Sequence, residues 1–564
     1  MKKMKKVVLS FLVVVSAISM AAAQKLEDGV KAVYYQKYSD AEKILQAVVD
    51  KSAEGQAIYW LGQVYLENTY GETDGIAKAT ALYQKYASTN DPWVLVGLGA
   101  IDFINHNNQA AEQKFETAMN FKFKGRNKDK DQASLMTAIG RASAYGNRDI
   151  GDPAYVIPVL QKAMEIDKAS AEPCVFLGMN FLKLGGDQGG NAFVAFNNAI
   201  TREPAYAAGY YHMGMIFHSQ NNFEVMDEWY KKGIAADPTF APIYLDYFNY
   251  FKNTDYNKAK EYLDLYVKNS DGGCNVQYFQ ADYLFRSGSY QESINKGKEM
   301  EASTCATFPH LPLLMAVNYH RLGDTVQAVT YAKKFFSTVS ATNILPDDYA
   351  FGGFIYKDVP EMADTAVKYL KIAYKLDTIP ESRAIYADSI ATALETANKP
   401  IEKYNWLRQL YDEKDSTMDG YNTALFNAGY AAFELAQTDS TYFPTADTLF
   451  GLYKTKYPDQ IFGYRYLVAS KLMAKDTAAA IPEINDFVTF MEKDTEKYKN
   501  ELIGQYYFLA NYYVNAKEDY PTGLTMFNKV LALDPTDATA KQYSDQIAAF
   551  LDSQKAEGDS TKSK

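Results

Sequence analysis

Apolar and small residues recur along this chain at helical spacing, and one pattern returns about every 34 residues. The clearest copy lies between Pro204 and Pro238, 34 residues apart. Its first stripe is Tyr210, Met213, Gly214 and Phe217; its second is Met226 and Tyr230. The polar stretch Ser219-Gln220-Asn221-Asn222 separates them, so the pattern predicts two amphipathic helices joined by a short turn. A small residue, Gly214 in the first stripe, marks where the two helices approach; a larger side chain there would push them apart.

The same arrangement runs through the chain. Gly29 goes with Ala41 and Leu45, Gly62 with Ala79 and Tyr83, Gly99 with Ala111 and Phe115. Gly140 goes with Leu160 and Ala163, Gly178 with Ala192 and Phe196. In the seventh unit Phe248 stands where Gly214 stood one repeat earlier, which predicts a loosened or re-angled pair. Units follow at Ala281, Ala316 and Gly353; one around 387–410 is degenerate, one at Gly429 is clear, one at 464–488 is weak, and a strong one ends at Pro535. Asp537 to Asp552 reads as a capping helix, and 553–564 as a polar disordered tail. Roughly fourteen helix pairs result, in two arms, 24–336 and 337–552, with a joint expected at Ser337 to Asp348.

Within the Pro204–Pro238 unit, Tyr210, Met213, Gly214 and Phe217 are spaced like W-x2-L-G-x2-Y, and Met226 and Tyr230 like A-x3-F. The unit resembles a tetratricopeptide repeat (TPR), and the resemblance covers nearly the whole chain. It implies an all-α, helix-turn-helix solenoid wound as a right-handed superhelix. It further implies a concave groove, lined by the first helices, that holds a peptide or helix of a protein partner. The chain would then be a scaffold or adaptor and not an enzyme.

Residues beside the small residue, or about a turn from it, should face that groove. They are Tyr211, Met215 and His218; Leu245, Asn249 and Lys252; Tyr278, Asp282 and Phe285; Phe426, Tyr430 and Phe433; Tyr507, Asn511 and Asn515. Tyrosine suits recognition, offering a rigid apolar face and a hydroxyl. With 46 Tyr in the chain, inter-helix packing is the competing role for each. Some TPR proteins clamp a terminal carboxylate with Lys and Asn; Asn249, Lys252 and Asn511 suggest this, but Leu245 and Tyr507 stand where a cation is wanted. Envelope carbohydrate, stacked on Tyr rings, is the alternative ligand.

Composition changes this picture at the start of the chain. Lys2, Lys3, Lys5 and Lys6 precede an apolar run from Val7 to Met20, then Ala21-Ala22-Ala23. Residues 1–23 therefore read as a signal peptide, placing the mature protein in the periplasm or cell envelope from Gln24. Losing four lysines takes the net charge from −11 to −15, unfavourable for nucleic acid, and no other apolar run predicts membrane insertion. Oligomeric state is not legible.

The remaining chemistry-like features point away from catalysis, metals and cofactors. Gly185 to Gly190 lacks the Lys-Ser/Thr of a phosphate loop. Asp415 to Gly420 begins like a calcium loop, but Thr417 is a poor ligand and Phe426 replaces the closing Glu. His106, His212, His218, His310 and His320 show no metal-ligand spacing. The basic run Lys122 to Lys130 reads as a solvated loop or a seat for an acidic group. Cys274 and Cys305, 31 residues apart, precede the first helices of adjacent repeats. A disulfide is permitted there, although equivalent points on stacked repeats are often about 10 Å apart, beyond the reach of about 7 Å. Cys174 is expected to be buried.

Overall fold

The computed structural model describes residues 25–68, 74–341 and 344–562; the expected signal peptide lies outside them. These residues form α-helices joined by short turns, with 3-10 and π turns and no strand among them. The helices pair in order: 25–34 with Tyr38–Ser52, Gly55–Glu67 with Gly75–Tyr86, Pro92–Ile104 with Asn108–Met119, and so on to Lys499–Asn511 with Tyr520–Leu533. That makes fourteen pairs among the described residues, followed by a last helix, Ala538–Lys562. The chain is an all-α solenoid of TPR-like pairs.

One contact is repeated. In most pairs the small residue of the first helix admits a bulky side chain from the second. A Cβ on Gly62 would stand 2.1 Å from Tyr83, and one on Gly214 would stand 2.2 Å from the Tyr230 ring. Phe115 and Phe196 fill the same place against Gly99 and Gly178, and both are fully buried. These rings and their alanine neighbours form the core between the two helical layers.

The seventh pair, Ala241–Phe251 with Tyr256–Asn269, corrects the expectation of loosening. Phe248 is itself fully buried, in one cluster with Ala259 and Leu263, and its ring lies 6.0 Å from Phe279. The second helix keeps its usual alanine, Ala259, and meets Phe248 with Leu263 in place of the aromatic ring found in other pairs. The unit that looks weak, Ile461–Met473 with Thr477–Met491, is an ordinary pair, whereas Pro380–Thr396 meets Pro400–Asp412 over a much smaller contact and packs more closely on the helix before it, Ala363–Leu376, so the degenerate unit is irregular in the fold too. Buried Ala393 and Ser470 serve where glycine stands elsewhere, because the approach needs a small side chain and not glycine itself.

Contacts divide the chain into two compact units between Ile355 and Tyr356, later than the expected division at 336/337. The last helix runs past Asp552 to Lys562, through residues expected to be a disordered tail. Cys174 is buried. Cys274 and Cys305 form a disulfide with their Cα atoms 5.3 Å apart. Repeat spacing alone overestimates that distance, because Cys305 sits in the turns between Glu301 and Leu311 and can dip toward the preceding helix.

Candidate binding site

The first unit curls until its beginning meets its own later pairs. Helix 25–34 ends on Tyr34, and the turn after it begins with Tyr35. The Tyr34 ring lies 4.9 Å from Tyr206 and 5.2 Å from Phe240. Its hydroxyl accepts a hydrogen bond from the Ala208 N–H at 3.4 Å. Tyr35 Oη donates to Asp237 Oδ2 at 2.7 Å. Burial pushes the Asp237 carboxyl up, but bonds from Thr239 and Tyr35 win and hold it below the usual range. Helix Tyr38–Ser52 has no side-chain cap from its own N-cap residue, Lys37. Asp271 supplies one from more than 230 residues away: Oδ2 accepts from Ser39 N at 2.8 Å and Asp40 N at 3.3 Å. Asn275 Nδ2 donates to Asn68 Oδ1 at 3.1 Å beside it.

These contacts border two cavities, open on one side, of about 1360 Å³ and 640 Å³. Gln36, Tyr38, Glu67, Arg141, Tyr145 and Tyr211 line both, and so form the partition between them. Arg141 is its centre. Nε and Nη2 bond the two Glu67 oxygens at 2.6 and 2.7 Å, and Nη1 lies 3.5 Å from Glu172. The guanidinium sits over the rings of Trp60, Phe176 and Tyr145 at 4.8, 5.0 and 5.5 Å. Burial lowers its proton affinity, but Glu67 more than restores it, so Arg141 stays charged. Burial raises the Glu172 carboxyl; Arg141 opposes this and Glu67 adds to it.

Tyr145 keeps 40% of its surface accessible, although surrounding protein pushes its hydroxyl well up, as expected of a ring facing a cavity. Lys183 Nζ holds that corner, donating to the Ser143 and Tyr145 carbonyls at 2.7 and 2.6 Å; burial lowers its pKa to about 8. His212 lines the larger cavity and stacks on Phe196 at 5.3 Å; burial takes its imidazole down to about 4. Lys130, from the basic run, reaches the same cavity.

The structure sorts the groove candidates. Tyr211, Met215, Leu245 and Asn249 line the smaller cavity. Beyond them, His218 Nδ1 lies 2.9 Å from Asp246 Oδ2, which also accepts from Tyr230 Oη. Lys252 Nζ donates to Asn249 Oδ1, and Arg286 Nε pairs with both oxygens of buried Asp282. A terminal carboxylate would have to compete with Asp282 there. Tyr278 stacks on Phe308 at 4.7 Å beside the disulfide, and Phe285 lies 5.9 Å from Tyr290.

In the second unit the candidates are packing and capping residues. Phe426 and Tyr430 lie 5.6 and 5.4 Å from Tyr466 of the next pair, and Phe433 is buried. Tyr507 Oη donates to Asp537, the residue ahead of the last helix. Asn511 bonds the Tyr507 carbonyl and Asn515 is exposed.

Glu67, Arg141, Glu172 and Tyr38 were not among the candidates. Arg141 directly follows Gly140, so the rule that selects Met215 after Gly214 selects it too. Tyr38 begins a second helix and enters the cavity only through closure, which no local pattern encodes. No group of three or more His, Cys, Asp or Glu side chains among the described residues is placed to hold a metal.

No protein-family model matches the chain, and no curated protein matches it in sequence. Solved structures do. The C-terminal part of a TPR repeat-containing protein from Cytophaga hutchinsonii is 22% identical over 47% of this chain and 98% of that one, TM-score 0.35. The APC/C hetero-tetramer Cut9–Hcn1 is 14% identical over 92% and 95%, TM-score 0.35. Yeast Tom70 is 12% identical over 75% and 97%, TM-score 0.35.

Proposed function

We propose that the chain is a non-enzymatic scaffold of the periplasm or cell envelope, exported by residues 1–23, that holds a segment of a protein partner in the cavities of its first unit. One observation carries this reading. The first helices of five pairs converge there, through Gln63, Ala100, Arg141, Tyr211 with Met215, and Leu245. The larger cavity, about 1360 Å³, exceeds the several hundred Å³ of a usual small-molecule site and suits a partner's side chains or chain end. The net charge disfavours nucleic acid as the partner.

The test is capture from envelope extracts by residues 24–564, read by mass spectrometry. A protein recovered with the parent chain and lost with Tyr211→Ala plus Met215→Ala supports the cavity. Phe426→Ala, in the second unit, should still capture it. Equal capture by every variant would remove the cavity from the reading.

A second ligand class, envelope carbohydrate, has its own supporting observation: Tyr145 and Tyr206 share the cavity wall with Glu172, Glu203 and Gln56. Rings flanked by carboxylates and amides suit a polyol. A glycan array with the same variants decides it, positive only if the signal falls with Tyr211→Ala.

A further inference from the structure

The contacts that close the first unit cluster at one place. Asp271 caps helix Tyr38–Ser52, and Asn275 holds Asn68 at the end of helix Gly55–Glu67. Between them in sequence lie Gly273 and Cys274. Gly273 touches the incoming helix so closely that a Cβ there would stand 2.4 Å from Ser39 Oγ. Cys274 carries the disulfide to Cys305. The seat is otherwise a short non-helical link, Ser270 to Gly273, with Gly272 at φ +70° and Asp271 Oδ1 accepting from Gly273 N at 3.0 Å. The bridge thus anchors the few residues that receive the start of the chain.

We propose that the first helix pair, residues 25–52, is a strap closing the cavities, and that the Cys274–Cys305 disulfide is a redox-sensitive latch on its seat. A dithiol reductant supplies two electrons and two protons: the S–S bond becomes two thiols and the reductant leaves as its own disulfide. Cys305 is buried and Cys274 half-buried, so a small dithiol has to approach from the Cys274 side. Freed from Cys305, the Ser270–Gly273 link relaxes. Asp271 then loses its register on Ser39 and Asp40, and the Tyr34–Tyr206–Phe240 contact opens. The cavity wall is bared without unwinding the pairs behind it, since each pair is held mainly by its neighbours.

The premise that the closed space binds a partner is the function proposed above. The latch is measured with no partner present, so either can fail alone. Hydrogen exchange of the mature chain is followed with and without dithiothreitol. Reduction is expected to speed exchange at Ser39, Asp40 and Ala208 at least tenfold and to leave helix Pro92–Ile104 unchanged. The double variant Cys274→Ser, Cys305→Ser should match the reduced protein. Asp271→Ala should free Ser39 and Asp40 with the disulfide intact. Unchanged exchange at Ser39 and Asp40 after complete reduction overturns the latch. Equal acceleration in every helix of residues 25–355 overturns it as well, for the bridge would then be a general staple.

Discussion

Arg141 neutralises Glu67 where neither meets bulk water: their side chains are 6% and 5% exposed. Replacing Arg141 by Met fills much of the volume but strands a buried carboxylate. We expect a loss of about 3–5 kcal/mol in urea unfolding. Arg141→Lys should recover only part of it, since an ammonium cannot bond both Glu67 oxygens in the same fork. Equal stability of all three proteins would show that water reaches the pair. His212 gives a pH dependence with a definite sign. Its imidazole titrates near 4 in the fold and 6.5 when free, so from pH 6.5 down to 4 the unfolded chain takes up the proton first. Its share of stability is whole above 6.5 and is lost on the way down, at most about 3 kcal/mol. His212→Gln should flatten the fall in urea midpoint between pH 7 and 4.5; a parallel fall in both proteins would place the acid sensitivity elsewhere.

At the scale of the helix pair, the repeated glycine is a matter of space. Tyr83 is pinned above Gly62, donating to the Tyr59 carbonyl at 2.9 Å and accepting from Gln63 at 3.0 Å. Gly62→Ala drives a methyl into a ring that cannot retreat, and should cost about 2–3 kcal/mol. Gly451 sits inside helix Phe443–Lys456 with nothing within 4 Å of its would-be Cβ, so Gly451→Ala should stabilise by about 0.5–1 kcal/mol. Urea melts of the two variants should move in opposite directions; movement together would deny the contrast. Gly62 was legible as a glycine in a periodic stripe; Gly451 stands outside it. What the stripe did not tell was that Phe248 could be buried at a glycine position against Ala259 and Leu263, or that Ser470 and Ala393 serve as well as glycine.

At the scale of the whole molecule, the last helix closes an end that would otherwise be open. Ala540 and Ile547 cover Phe527 and Val530, and Tyr507 grips Asp537. A chain ending at Pro535 should melt several degrees lower and associate with rising concentration, seen by sedimentation, because a solenoid's bare end is apolar. An unchanged melt and an unchanged mass would mean that the end needs no cover. The helix pairs, their number and the cap could be read along the chain because each depends on side chains within about 40 residues, at spacings of 3.6 and 34. So could Tyr211, Met215 and Asn249 as inner-face residues, from their offsets to a glycine. Facing inward did not settle what each side chain meets: Tyr507 meets a cap, Tyr430 a neighbouring ring, Tyr211 a cavity. Closure of the first unit was legible nowhere. It joins Tyr34 to Ala208 and Ser39 to Asp271, 174 and 232 residues apart, and it depends on the small rotation from each pair to the next. Local periodicity carries no record of that sum. Only the folded chain could decide that the groove is bridged by its own first helices, with Arg141 between the two cavities.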